Sequence, residues 1–245
     1  MNKVYAISDT HGYDFDKIRL MLDKVGFDDG DMLYILGDTI DRGDPESMLR
    51  FLDFILSHTN VMLIRGNHEQ MALDNTIAIL LPGHKPCLDE QEYSFRLWMG
   101  NGGRPTWDML MDCSEAERER IIALFADSPL YQEVFIGDMR YILTHSGLGN
   151  FDPDKPLEDY QDRELLWNRP MPDSRYYFDD STRLVFGHTP TVCLDAGRGH
   201  EPVIAKTWID IDCGAAFGGS FYPVILCLND LSVTTPVDDA EKDAE

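Results

Sequence analysis

Short uninterrupted apolar runs alternate with helical periodicities in the first part of the chain. Val4 to Ile7, Met32 to Leu36 and Val61 to Ile64 lack the polar alternation of a half-wet strand, so they predict strands covered on both faces. Between them, Ile18, Met21, Leu22 and Val25 recur at the spacing of a helical stripe. Met48, Leu49, Leu52, Ile55 and Leu56 do the same after Pro45, a residue favoured at the first position of a helix. Strand, helix, strand, helix, strand predicts a parallel sheet.

From about Glu69 to Leu130 the pattern turns mostly helical, with a capping box in Ser114-Glu115-Ala116-Glu117 ahead of Ile121, Ile122 and Phe125. The breaker clusters Leu81 to Pro86 and Gly100 to Pro105 separate its helices. A helical cap or insertion over about 71–130 within a single domain 1–236 is the expectation, with Trp98, Met99 and Trp107 as core of that cap. Strand character returns at Tyr141 to Thr144, Arg183 to Phe186, Thr207 to Ile211 and Val224 to Leu228, which predicts a second sheet packed on the first.

Composition narrows the classes. The 245 residues, 43% of them hydrophobic, suffice for one large domain. A formal net charge of −23 excludes a basic nucleic-acid surface. Residues 237–245 read as an acidic disordered tail. Five scattered cysteines without a Cys-x-x-Cys pair read as reduced, inert packing residues of a cytoplasmic protein. The first strand begins at once, leaving no room for a signal peptide, and no run approaches membrane-spanning length, so the expectation is a soluble cytoplasmic monomer.

The candidate chemistry sits just after the predicted strands. Asp9 and His11 lie two apart after the first and can reach one metal, while Asp38 follows the second with a carboxylate able to bridge two cations. Asn67 offers an amide oxygen after the third, and His145 and His188 end strands of the second half. Six such groups fit a dinuclear centre, in which two cations roughly 3.5 to 4 Å apart activate a shared water and stabilise an in-line phosphoryl displacement. Asp, His and Asn ligands without Cys suit Mn foremost, then Fe or Zn. His68 is placed to give a proton to a leaving oxygen and Asp41 to orient its ring. Arg42 and Arg65 flank the ligands as forks for phosphate, and Arg169 is a further candidate. His58, His84 and His200 read as surface residues, and Asp210 and Asp212 as structural.

Gly37-Asp38-x-x-Asp41-Arg42-Gly43 and Arg65-Gly66-Asn67-His68-Glu69, preceded by Asp9-x-His11-Gly12, resemble the signature runs of the phosphoprotein phosphatase branch of calcineurin-like metallophosphoesterases. Glu69-Gln70-Met71, Asn101-Gly102-Gly103 and Trp167-x-Arg169 look most like the phage lambda-type bacterial protein phosphatases. The resemblance implies an α/β fold, a four-layer αββα sandwich of two mixed sheets flanked by helices. It implies Asp9, His11 and Asp38 on one metal, and Asp38, Asn67, His145 and His188 on the other. It also implies an Asp41–His68 acid dyad and phosphate binding by Arg42 and Arg169. Ser8 departs from the usual glycine before Asp9, Ser146 from a His-Gly-Gly pattern, and Cys213 stands where threonine is common. The expected activity is hydrolysis of phosphoserine, phosphothreonine and also phosphotyrosine in proteins by a hydroxide held between two metals. Symmetrical cleavage of diadenosine polyphosphates and a catalytically silent scaffold are the alternatives.

Overall fold

The computed structural model of the chain describes residues 2–80, 88–171, 173–177, 179–194 and 201–237, with backbone alone at 77–80 and 88–91. The tail from 238 onward, the breaker cluster 81–86, Cys87, His84 and His200 lie outside the described residues. In chain order the strands are β1 (Val4–Ile7), β2 (Met32–Ile35), β3 (Val61–Leu63), β4 (Tyr131–Ile136), β5 (Met139–Thr144), β6 (Thr182–Phe186), β7 (Val203–Ile204), β8 (Trp208–Asp210), β9 (Ile225–Cys227) and β10 (Val233–Thr234). The helices are α1 (Phe15–Val25), α2 (Pro45–Ser57), α3 (Asn67–Leu80), α4 (Leu88–Gly100), α5 (Arg104–Asp112), α6 (Glu115–Asp127), α7 (Asp162–Leu166) and α8 (Thr191–Leu194).

Two five-stranded sheets result, ordered β10-β9-β1-β2-β3 and β4-β5-β6-β8-β7. Both are mixed. In the first, β1, β2 and β3 pair in parallel while β9 and β10 add antiparallel. In the second, β5, β6 and β8 are parallel between antiparallel β4 and β7. The period of two along each strand builds the layers. Tyr5, Ile7, Leu33 and Ile35 pack with Ile18, Leu22, Phe51 and Leu52 of α1 and α2. Ala6, Tyr34 and Leu36 face the other way and meet Leu143, Val185, Ile209 and Leu226 between the sheets. On the far side, Ile142, Leu184 and Phe186 are covered by Leu148, Leu157, Tyr160, Leu165 and Tyr176. That fourth layer is mostly irregular chain with the short α7.

The predicted strands and helices all form, and Ser114 and Glu117 complete the capping box of α6. Three strands carried no pattern. β4 is half-buried or exposed along its length and among the described residues pairs only with β5, and its apolar run is just Val134 to Ile136 behind Gln132 and Glu133; β7 and β10 are two-residue edges. Within the segment 71–130, Trp98, Met109, Leu110 and Phe125 belong to the same buried cluster as residues of β1 to β3.

Candidate active site

The loops after β1 and β2 are laced together by backbone bonds from Asp9 N to the Gly37 carbonyl, His11 N to that of Asp38, and Gly12 N to that of Thr39, at 3.1, 2.9 and 3.1 Å. Lacing turns them sharply. Of nine non-glycine residues with positive φ among the described residues, six are Asp9, His11, Asp38, Asp41, Arg42 and His188, at 44° to 71°. Such backbone is costly, so it persists where surrounding bonds over-determine it, as at functional sites. Glu69 supplies much of that determination. Its fully buried carboxylate accepts from Asp38 N, Thr39 N and Thr39 Oγ1 at 2.8 Å each and from Gly66 N at 3.0 Å, joining the second and third loops. Gly66 must be glycine, since a Cβ there would lie 2.3 Å from Asp38 Oδ1.

Asp38 presents one oxygen to each side. Oδ2 lies 3.5 Å from His11 Nε2, and Oδ1 lies 3.4 Å from His145 Nε2. His11 and His145 use Nδ1 on the carbonyls of Ile40 (2.8 Å) and Leu36 (2.7 Å), so each neutral ring keeps its lone pair at Nε2. Around His145 Nε2 gather Asn67 Oδ1 at 2.8 Å and His188 Nδ1 at 3.1 Å. Lone pairs converging from an amide oxygen, a carboxylate and two imidazoles repel one another unless a cation sits among them, so this donor set fits a divalent metal. His11, Asp38 and His68 form one group whose ligand atoms lie within 4.8 Å of one another; Asp38, His145 and His188 form a second. Asp9 lines the same cavity but belongs to neither group; its Oδ2 accepts from Ser8 Oγ at 2.5 Å and His188 N at 2.9 Å.

Burial drives the charges of this cluster toward neutrality. It raises Asp9, with Asp212 adding, and raises Asp38, with Asp9 and Glu69 adding, well above the usual carboxyl range. It lowers His11 and His188, and takes His145 down to about 3. Neutral imidazoles beside crowded carboxylates are prepared for cations.

His68 Nδ1 lies 2.5 Å from Asp41 Oδ2, and its Nε2 faces the cavity, 3.8 Å from Asp38 Oδ2 and 3.1 Å from Arg42 Nη2. Burial, then the Arg42 charge, lowers His68 to about 3, while burial lifts Asp41 to about 7. Arg42 and Arg169 both line the cavity; Arg42 Nη1 is 3.4 Å from His11 Nε2, and Arg169 Nη1 donates to the His188 carbonyl at 3.3 Å. Arg65 does not line it. Its guanidinium donates to Gln70 Oε1 and to the carbonyls of Ala126 and Ser128 at 2.9, 2.7 and 3.0 Å, which removes it from the phosphate-binding set and makes it a strut to the end of α6.

The cavity, about 240 Å³, is completed by Asn101, Trp167, Pro190, Cys193, Asp212, Ala216 and Phe217. Four features escaped the sequence reading. Asp212, read as structural, is buried yet lines the cavity, and Cys193 is exposed there rather than packed. Trp98 donates from Nε1 to Asp41 Oδ2 at 2.8 Å. Ser146, where the run departs from His-Gly-Gly, accepts from Asn168 N (3.0 Å) and donates to the Leu165 carbonyl (2.8 Å), tying down the segment that carries Arg169.

Two mixed sheets with strand-end carboxylates, imidazoles and an amide around one cavity, flanked by two arginines, define a phosphoester-hydrolase frame built for metal. The calcineurin-like phosphoesterase family profile matches residues 2–213, and the chain belongs to that family. It is 28% identical over 226 residues to serine/threonine-protein phosphatase 1 of Salmonella typhimurium, covering 88% of each chain. It is 43% identical to a symmetrical bis(5'-nucleosyl)-tetraphosphatase of Neisseria gonorrhoeae over 67 residues, 26% of this chain and 23% of that one. Among solved structures, that of a candidate diadenosine tetraphosphatase superposes with a TM-score of 0.61 at 17% identity, covering 97% of this chain and 95% of that one. The family consists of phosphoester hydrolases that use a dinuclear metal centre, this chain carries His and Asp groups able to bind metal, and it shares the two-sheet fold.

Proposed function

We propose that the protein is a metal-dependent phosphomonoesterase that removes phosphate from phosphoserine and phosphothreonine, and also phosphotyrosine, in proteins. The carrying observation is the His68–Asp41 pair, whose Nε2 faces the cavity 3.1 Å from Arg42 Nη2 and 3.8 Å from Asp38 Oδ2. Likeness to a serine/threonine-protein phosphatase along 88% of both chains favours a phosphoprotein over a dinucleotide.

Asp9, His11 and Asp38 would hold one divalent cation, and Asp38, Asn67, His145 and His188 the other, with Mn first and Fe or Zn as alternatives. When bound, the pair supplies Lewis-acid stabilisation of phosphoryl oxygens and a lowered pKa for water at the site. Arg42 and Arg169 draw the phosphate dianion into the cavity and match its oxygens with planar forks. Burial first, and then the Arg42 charge, hold His68 neutral; a phosphate anion beside Nε2 that also engages Arg42 offsets both by its own negative charge and favours the protonated ring. As the bond from phosphorus to the leaving oxygen breaks, His68 Nε2–H gives that proton to the departing alkoxide, while Asp41 holds Nδ1–H and the ring's orientation. Free Cys113, Cys193, Cys213 and Cys227 support a reducing compartment. Among the described residues no helix is long and apolar enough to cross a membrane.

Symmetrical hydrolysis of dinucleoside polyphosphates is the second reading, favoured by the local 43% identity. Metal-stripped protein assayed on p-nitrophenyl phosphate with and without Mn, Fe or Zn tests the chemistry, and phosphopeptide against diadenosine tetraphosphate tests the substrate. Mn-restored turnover with preference for the phosphopeptide is expected. No activity with any divalent metal refutes both readings, and preference for the dinucleotide refutes the first.

A further inference from the structure

The corner between α4 and α5 grips the acid pair. Trp98 is fully buried, held edge-on by Phe95 and Trp107 with ring centroids 6.4 and 6.1 Å away. Its Nε1–H reaches the same Asp41 oxygen, Oδ2, that receives His68 Nδ1. The other oxygen, Oδ1, is buried without a partner among the described residues. A carboxylate bonded only to His68 could turn about its Cβ–Cγ axis and offer either oxygen, carrying the imidazole with it. The indole N–H removes that freedom, because one rotation alone keeps both donors on Oδ2.

The surrounding backbone serves the same end. Asp41 N donates to Thr106 Oγ1 at 2.8 Å, Arg42 N to the Gly102 carbonyl at 2.9 Å, and Arg42 Nε to that of Asn101 at 3.1 Å. These bonds hold Asp41 and Arg42 at φ 71° and 67°. Gly103 leaves the indole its seat, since a Cβ there would stand 2.5 Å from Trp98 Nε1.

We propose that Trp98 is a positioning residue for proton donation: it locks the face of the Asp41 carboxylate and, through it, the aim of His68 Nε2 at the leaving oxygen. The proposal rests on the general-acid role given to His68 above. Proton donation matters for a basic leaving group and little for an acidic one, so the signature is leaving-group dependence. The experiment compares phenyl phosphate with p-nitrophenyl phosphate under saturating Mn for the wild type, Trp98→Phe, Gly103→Ala and His68→Asn. Phenylalanine keeps the buried ring without the N–H, and alanine at Gly103 displaces an intact indole from a backbone that accepts alanine.

Trp98→Phe and Gly103→Ala are expected to lose about tenfold in kcat on phenyl phosphate and several-fold less on the nitrophenyl ester, a weaker copy of His68→Asn. Equal losses on both esters would reduce Trp98 to packing and overturn the proposal, even with His68→Asn selective. Should Trp98→Phe not fold, Gly103→Ala decides by the same ratio. If His68→Asn itself shows the wild-type ratio, the general-acid reading fails, and the positioning role falls with it.

Discussion

Replacing Glu69 with glutamine tests whether the site's backbone is held by this one carboxylate. Its two oxygens accept four hydrogen bonds, two each from the Asp38/Gly66 and Thr39 donors. Glutamine turns one oxygen into a donor; with that group toward Thr39 the hydroxyl turns to accept from it, the Thr39 N–H is left donor against donor, and the other three bonds lose their charge. Bonds to a charged group contribute about 1.5–3 kcal/mol and neutral ones about 1 kcal/mol, so one bond lost and three weakened cost about 4–6 kcal/mol. An opposing effect follows from charge. Glu69 adds to the repulsion that raises Asp9 and Asp38, and relieving it returns about 2 kcal/mol at an effective dielectric near 20. Hydrogen bonding wins, with a net destabilisation of about 2–4 kcal/mol, or roughly 5–15 °C in Tm for a chain of this size. Calorimetry in metal-free buffer and again with Mn measures both contributions. Cations neutralise Asp9 and Asp38, so the relief vanishes and the deficit should widen with Mn. An unchanged or raised Tm in both buffers would refute the reasoning, because carboxylate repulsion would then outweigh the loop bonds.

Other substitutions separate the remaining roles. His68→Asn should leave Mn binding intact by titration calorimetry while lowering turnover of an alkyl phosphoester by roughly 100-fold or more; full turnover would remove His68 from proton transfer. Ser146→Ala removes the bonds to Asn168 and Leu165, and should raise KM for phosphoesters several-fold through a loosened Arg169, with kcat nearly unchanged; an unaltered KM would leave Ser146 as packing. Glu164, bonded to Lys155, Asn150 and the Gln161 amide, is lowered to about 2. Its folded value lies below the unfolded one, so its stabilisation is full above the ordinary glutamate pKa of about 4.3 and disappears as pH falls through about 2. Urea unfolding of Glu164→Gln at pH 5 and pH 3 should therefore show a shallower acid loss than the wild type, and identical slopes would contradict it.

The strand-end runs were legible because each is local: a buried strand, a turn and two or three ligand-type side chains are written within ten residues. That made Asp9, His11, Asp38, Asn67 and His68 readable, along with Pro45 and the Ser114 capping box as helix starts. Half-wet strands carried no such mark, and β4 with its exposed Phe135 went unseen for that reason. Arg65 shows the limit of reading by adjacency. It stands two residues from Asn67, yet a long guanidinium goes where acceptors are, here the carbonyls of Ala126 and Ser128, which no local pattern announces.

By itself, the chain determined its elements and its inventory of donors, because burial period, capping and turn chemistry act over a few residues. The packing of one sheet on the other decided which donors meet. It brought His145 within 2.8 Å of Asn67, 78 residues earlier, and His188 against Asp9, 179 residues away. The fold of the helical corner decided that Trp98, 57 residues from Asp41, would finish the acid pair. Contacts of that span depend on how whole layers pack and on the direction each side chain leaves its backbone, and neither is a property of neighbouring residues in the sequence.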